Sequence, residues 1–206
     1  MDQKLRNNLR ESYGRKAQER DARTIQAWKL AERQAFLSLL RQEQKQTLLE
    51  IGAGTGIDGQ FFQEQGLQVV CIDLSPEMVK LCGQKGLTAY VMDFGDLRFP
   101  PTSFDAVYAL NCLLHVPKVE LPAILKAIEL LLKPGGLFYM GVYGGYDYEG
   151  VWPDDTYEPK RFFSFYSDEG LQAVVREIFK VHSFKRIAYN GKDAKLHFQS
   201  LVLGKP

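Results

Sequence analysis

Between residue 47 and about residue 143 the chain repeats one unit: a short apolar run, a glycine or polar turn, then a helix-length stretch. The runs are TLLEI (47–51), LQVVCID (67–73), TAYVM (88–92), FDAVYAL (104–110) and LFYMGVY (137–143). Helices are expected over about 57–65, from Pro76 onward and from Pro117 to Leu132. Ser75 is placed to N-cap the second, with Pro76 at its first position and Glu77 at the positive helix end. Lys133, Pro134, Gly135 and Gly136 stop the third. Strands that alternate with helices pair in parallel through right-handed crossovers. The expected core is therefore an open, doubly wound α/β sheet.

Both ends depart from that rhythm. Residues 1–46 hold 11 Lys or Arg against 6 Asp or Glu, with Ile25, Trp28, Ala31, Ala35 and Leu39 at helical spacing. This reads as an N-terminal helical cap broken near Gly14, with a solvated basic face. At the other end, Ser167 caps a helix, and two strands near 181–189 and 195–203 are joined through Asn190 and Gly191, a hairpin signal. The expected fold is Rossmann-like: a mostly parallel seven-stranded sheet ending in an antiparallel hairpin, with N-terminal helices. It is read as a single domain with a cap at 1–46, a core at 47–143, a loop at 144–166 and a C-terminal helix and hairpin at 167–206.

Composition narrows the setting. The formal charge of +1 and 45% hydrophobic content fit a soluble globular chain. Three cysteines with no CxxC pair favour a reducing cytoplasm and argue against a structural zinc site, so no metal is expected. The N-terminus has no apolar leader, and no run reaches about 18 apolar residues, so no membrane role is expected.

Ligands of open α/β sheets bind beyond the strand carboxyl ends. The first such turn is Glu50, Ile51, Gly52, Ala53, Gly54, Thr55, Gly56, whose glycines admit a ligand close to the backbone. Asp73 ends the second strand, 21 residues after Gly52, where a carboxylate can take both ribose hydroxyls. Gly54, Gly56 and Gly59 also satisfy the G-x-G-x-x-G of nicotinamide dinucleotide sites, so the nucleotide stays open at this point. Two features tilt it. Glu50 is ill placed beside a pyrophosphate but suits a ligand bearing an amino group and a sulfonium. Asp93 can accept an adenine amine, with Met92 and Phe94 as apolar neighbours.

In LLEIGAGTG (48–56), VVCIDLSPEMV (69–79), VMDFGDLRFPPTSFDAVYAL (91–110) and LLKPGGLFYM (131–140), the chain resembles the class I S-adenosylmethionine-dependent methyltransferases of small-molecule type (types 11 and 25). The resemblance implies S-adenosylmethionine as cofactor and methyl transfer to a small-molecule acceptor by in-line displacement. It sets Glu50, Gly52 and Gly54 by the methionine and ribose portion, Asp73 on the ribose, and Leu74 and Met78 on the adenine side. Asp93 falls on the adenine amine, Leu110 and Asn111 near the methyl group, and Tyr13 over the methionine moiety. The Asn/Asp-Pro-Pro-aromatic tetrad of adenine- and glutamine-N-methylating relatives is absent: Leu110, Asn111, Cys112, Leu113 stand there.

No catalytic base is evident; His115, after the fourth strand, is the candidate, and Cys112 reads as a buried thiol. The 144–166 loop holds 8 aromatic residues in 23, with five acidic residues against Lys160 and Arg161. It is expected without regular structure, as a substrate wall in which Tyr146 and Trp152 face the pocket, Phe162 and Phe163 pack, and Arg161 meets a substrate carboxylate. Its acidity disfavours nucleic acid and leaves open a basic protein side chain as acceptor. An NAD(P)-dependent oxidoreductase and a non-catalytic nucleotide-binding module are the alternatives.

Overall fold

The structure, a computed structural model, describes residues 2–188 and 195–206. Nine strands and seven α-helices are present among them. The N-terminal segment forms α1 (Gln3–Arg15), α2 (Ala17–Asp21) and α3 (Ala27–Gln42), with the break at Lys16. Asp2 caps α1 by accepting from the Leu5 N–H.

β1 (Thr47–Ile51), α4 (Ile57–Glu64), β2 (Gln68–Asp73), α5 (Pro76–Gln84), β3 (Thr88–Val91), β4 (Phe104–Leu110), α6 (Leu121–Leu131) and β5 (Leu132–Gly144) follow in alternating order, except that a helix-free turn joins β3 to β4. Ser75 caps α5 by accepting from the Met78 N–H, with Pro76 at the first helical position. The sheet runs β3-β2-β1-β4-β5-β9-β8, with β8 (Lys180–Ala188) and β9 (His197–Gly204) following α7 (Asp168–Arg176). β1 to β5 pair in parallel; β9 runs antiparallel to both β5 and β8. Seven strands with a terminal antiparallel pair is the expected architecture. The Asn190–Gly191 turn lies outside the described residues.

Alternating β1 side chains divide between two cores, as a pleat requires. Leu48 faces the layer of α3 and α4, while Leu49 and Ile51 face that of α6 and α7. On α3 the buried positions are Arg33, Phe36, Leu37 and Leu40, a three- and four-residue spacing, whereas Ala31 and Ala35 are exposed. The stripe expected from Ile25 to Leu39 is thus displaced: burying Phe36, Leu37 and Leu40 removes far more apolar area from water than burying alanines, about 2–3 kcal/mol for each large side chain. Arg33 tolerates the position because Asp58 pairs with it at 2.8 Å.

The 144–166 segment is not irregular throughout. β6 (Tyr148–Val151) and β7 (Phe162–Phe165) form a separate antiparallel pair, Tyr148 opposite Phe165 and Val151 opposite Phe162. Aromatic rings occupy both faces of this pair, so no alternation marks it in the sequence.

Candidate active site

A cleft of about 620 Å³, counted out to its open mouth, lies at the carboxyl ends of β1, β2 and β4. Its floor comes from the turns after those strands and its roof from α1 and α2.

The β1 turn exists because three glycines take the left-handed region: Gly52, Gly54 and Gly56, at φ +66°, +56° and +80°. A β-carbon on Gly52 would stand 2.3 Å from that of Cys112, so β1 and the β4 turn close on each other there. At Gly54 a β-carbon would meet nothing within 4 Å. Gly54 lines the cleft, and its bare Cα leaves room for a ligand against the backbone.

Three amides of this turn are already engaged. The Gly54 N–H donates to Asp73 Oδ2 at 2.8 Å, Ala53 N–H to the Ile72 carbonyl and Gly56 N–H to the Ala53 carbonyl. Asp73 Oδ1 accepts from the Ser75 N–H at 2.9 Å. Burial pushes the Asp73 carboxyl up to about 6, against the pull of those two amides and of Arg20.

Beyond β4, Asn111 sits at φ +57°, its N–H donating to the Gly141 carbonyl. Its side-chain Oδ1 is buried and has no hydrogen-bond partner among the described residues. Asn111 lines the cleft, so this orphaned acceptor is available to a donor on a ligand. Cys112 donates its thiol to the Ile51 carbonyl and is buried, which pushes its pKa up; it is no nucleophile.

His115 and Tyr13 meet at the roof. The His115 Nδ1 lies 2.7 Å from the Phe162 carbonyl oxygen, which can only accept, so that nitrogen carries the proton. Nε2 then accepts from the Tyr13 hydroxyl at 2.6 Å. Burial, with the charge of Arg161, pulls the His115 pKa down to about 3, so the imidazole is neutral at physiological pH. Burial raises the Tyr13 phenol in spite of Arg161 and Arg20.

Of the residues singled out from sequence, Tyr13, Gly52, Gly54, Asp73, Leu74, Met92, Phe94, Leu110, Asn111 and His115 share this one cleft. Glu50 does not line it. Its carboxyl turns toward α4, accepting the Cys71 thiol at 3.4 Å, where a β-carbon on Gly59 would be 2.6 Å away. Burial, then the charge of Asp58, lifts Glu50 well above the ordinary carboxyl range. The electrostatic case drawn from Glu50 against a pyrophosphate therefore falls, because the pleat points it to the other face.

Ala53 and Met78 are buried in the packing behind the cleft, Met78 against Ala17, Leu81 and Tyr13. Asp93 stands outside the lining, its Oδ2 2.8 Å from Arg6 Nε and its Oδ1 taking the Gly95 N–H. Trp152 packs on Tyr148, Phe163 and Phe165, and Tyr146 on Phe165, so neither ring faces the cleft. Arg161 is committed to Asp155 at 2.7 and 2.9 Å, which removes it as a free carboxylate receptor.

The sequence reading missed Leu9, Arg10 and Arg20 in the roof, and Ile51, Ile72 and Ser75 in the floor. Arg20 had no spacing signal, because the break at Lys16 puts it on a different helix from Tyr13; folding brings its guanidinium to 5.1 Å from the Tyr13 ring centre. Among the described residues no three His, Cys, Asp or Glu side chains could hold a metal, and no helix is long and apolar enough to cross a membrane.

A cleft at the strand ends of a seven-stranded sheet with an antiparallel finish narrows the class, and comparison with known proteins narrows it further. Residues 48–136 match the family described as Methyltransferase domain. A ubiquinone biosynthesis O-methyltransferase of Xanthomonas oryzae pv. oryzae is 39% identical over 100 residues, 45% of this chain and 41% of that protein. A demethylmenaquinone methyltransferase of Tropheryma whipplei is 32% identical over 108 residues, 50% and 44% of the two chains. This chain thus spans less than half the length of the curated relatives it matches.

In fold it is similar to the Burkholderia thailandensis 1,6-didemethyltoxoflavin-N1-methyltransferase, solved with 1,6-didemethyltoxoflavin and S-adenosylhomocysteine bound. The TM-score is 0.72 at 22% identity, over 96% of this chain and 87% of that one. The [4+2]-cyclase SpnF shares the fold at a TM-score of 0.66 and 18% identity, over 78% and 74% of the chains. Residues 48–136 are thus similar to the methyltransferase domain family, and the fold is shared with a methyltransferase solved with S-adenosylhomocysteine bound.

Proposed function

We propose that the protein is an S-adenosylmethionine-dependent methyltransferase acting on a small-molecule acceptor, its chain a single domain. The observation that carries this reading is the pairing of Asp73 with the Gly54 N–H beside the bare Gly54 Cα. In a dinucleotide site the amides of the glycine turn and of the helix N-terminus after it face the pyrophosphate; here three amides of the turn, those of Ala53, Gly54 and Gly56, are taken within the protein. A turn so engaged favours a ligand without phosphate over a nicotinamide dinucleotide.

When bound, the cofactor supplies a sulfonium methyl group that is already electrophilic, so the protein has mainly to position and to exclude water. Asp73, held by two amides, offers its remaining lone pairs to ribose hydroxyls. Leu74, Met92 and Phe94 supply an apolar slot for the adenine. Asn111 Oδ1 accepts from a ligand amine. Asp93 reaches the adenine amine only by exchanging its bond to Arg6. Leu9 and Tyr13 of α1 close over the cleft and keep water out.

The curated relatives act on quinone-pathway compounds, as their names state; ring-bearing hydroxyl compounds are accordingly the first acceptors to try. Incubating the protein with S-adenosylmethionine and a panel of quinols, phenols and heterocyclic amines, with methylated product read by mass, tests the reading. Product with a panel member supports it. The cyclase fold neighbour gives the test its point: cofactor binding without methyl transfer to any member would favour a different use of the same fold.

A further inference from the structure

The segment carrying β6 and β7 meets the roof of the cleft through Tyr157, Glu158 and Pro159 and, at the Tyr13–His115 pair, through one dipeptide. Arg161 and Phe162 hold the two ends of the Tyr13–His115 pair: Arg161 Nη1 donates to the Tyr13 oxygen at 3.0 Å, and the Phe162 carbonyl takes the His115 Nδ1 proton. Asp155 fixes Arg161 through its backbone N–H, Nε and Nη2, at 2.8, 2.9 and 2.7 Å. The side chains of Arg161 and Asp155 are only 14% and 4% exposed, and the guanidinium lies 3.6 Å from the Tyr157 ring centre. The fork is therefore locked by a carboxylate and an aromatic face before it reaches Tyr13.

Every hydrogen-bond direction in this chain is forced. A guanidinium only donates and a carbonyl only accepts. The His115 proton is on Nδ1, the Nε2 lone pair takes the Tyr13 proton, and the Tyr13 oxygen has one lone pair filled by Arg161. One lone pair remains on Tyr13, which lines the cleft. The charged and titratable groups that face the pair are Arg161, Asp155, Arg20 and Tyr157.

We propose that Arg161, locked by Asp155, is a positioning residue: it pins the Tyr13 hydroxyl as donor to His115, so that the remaining lone pair of the Tyr13 oxygen receives the O–H or N–H of the methyl acceptor. The acceptor's own lone pair is then turned away from Tyr13 toward the cofactor side of the cleft; as the sulfonium–methyl bond breaks and the methyl–acceptor bond forms, the acceptor proton passes to the Tyr13 oxygen and Tyr13 gives its own to His115 Nε2. The role in transfer rests on the methyltransferase reading; the effect on His115 does not.

Nitrogen-15 spectra of the His115 ring test it, on the full chain, in wild type, Arg161→Lys and Tyr13→Phe, with S-adenosylhomocysteine affinity measured by calorimetry on each. Wild type shows a single Nδ1–H tautomer without titration between pH 5 and 8. Arg161→Lys keeps the charge but cannot span both Asp155 and Tyr13; the Phe162 carbonyl still holds the proton on Nδ1, and the Nε2 resonance moves toward that of an imidazole nitrogen with no donor. Tyr13→Phe leaves the Asp155–Arg161 pair whole and moves Nε2 in the same direction, in full. With a turned-over acceptor, Arg161→Lys lowers kcat at least tenfold while cofactor affinity stays within threefold. A wild-type His115 spectrum in Arg161→Lys, or in Tyr13→Phe, overturns the proposal. If wild type fails to bind S-adenosylhomocysteine, the methyltransferase reading fails, and the spectra still decide what Arg161 does to His115.

Discussion

Gly52 and Cys112 approach until only a hydrogen fits between them: a β-carbon on Gly52 would sit 2.3 Å from the β-carbon of Cys112, on a residue at φ +66°. Backbone-anchored atoms cannot yield as a long side chain can. Gly52→Ala is expected to cost about 2–5 kcal/mol from left-handed strain and overpacking, and to abolish S-adenosylhomocysteine binding. Adding Cys112→Gly should recover part of the stability, since the collision goes while the strain stays. Thermal unfolding of the single and double variants measures this; a Gly52→Ala protein that unfolds with wild type contradicts it.

Asp73 gives the cofactor site its own pH dependence. Its pKa in the folded protein is about 6, above the ordinary carboxyl value, because it is buried. The folded state thus favours the protonated form, and stability conferred by that proton is present at low pH and lost as pH rises through 6. Ribose hydroxyls, in contrast, need the carboxylate. Affinity for S-adenosylhomocysteine should therefore fall about tenfold for each pH unit below 6, while Asp73→Asn binds weakly with no such slope. Calorimetry from pH 5 to 8 decides it.

Asp105 works at the opposite end of the sheet, away from the cleft. It accepts from the Gln46 and Thr47 N–H groups, the Thr47 hydroxyl and the Lys133 ammonium, tying β4 to β1 and β5. Burial alone would raise its pKa, but Lys133 and the Thr47 and Gln46 donors outweigh it and hold the carboxyl well below its usual range. Its contribution to stability is present above about pH 4 and is lost as pH falls further. Asp105→Ala should lower stability by about 2–4 kcal/mol at pH 7 and leave S-adenosylhomocysteine affinity within twofold. A loss of affinity larger than the loss of stability explains would show that the two ends of the sheet are coupled.

Glu50 separates geometry from resemblance. Its carboxyl is buried on the α4 side of β1 and is held well above the ordinary range, first by burial. Glu50→Gln, of similar shape and uncharged, is expected to change the melting temperature by less than about 3 °C and cofactor affinity by less than threefold. A tenfold loss of affinity in a folded Glu50→Gln protein would put the residue back at the ligand.

How the sequence exposes this site follows from how local each signal is. Gly52, Gly54 and Asp73 sit where a strand ends and a turn must follow, so period and turn chemistry place them together, and Ser75 announces α5 by its own capping bond. Face is harder to read. Glu50 belongs to the same short motif, yet a two-residue period on β1 sends it behind the sheet, and no spacing in the motif says which way. Asp93 and Met78 fall near the right strand ends and are drawn off by partners distant in sequence, Arg6 on α1 and Ala17 on α2. The 144–166 segment is the least legible. Tyr148 pairs with Phe165, 17 residues away, and Asp155 is one of five acidic residues, distinguished only by the buried guanidinium that folding brings to it.

Whether the cleft beside Asp73 holds an adenosyl ligand without phosphates is decided by calorimetric titration of the protein with S-adenosylhomocysteine, NAD and NADP, on wild type and on Asp73→Ala. One site for S-adenosylhomocysteine is expected, at least tenfold weaker in Asp73→Ala, with no heat from either dinucleotide. Binding of NAD or NADP at that site, with none of S-adenosylhomocysteine, would contradict it.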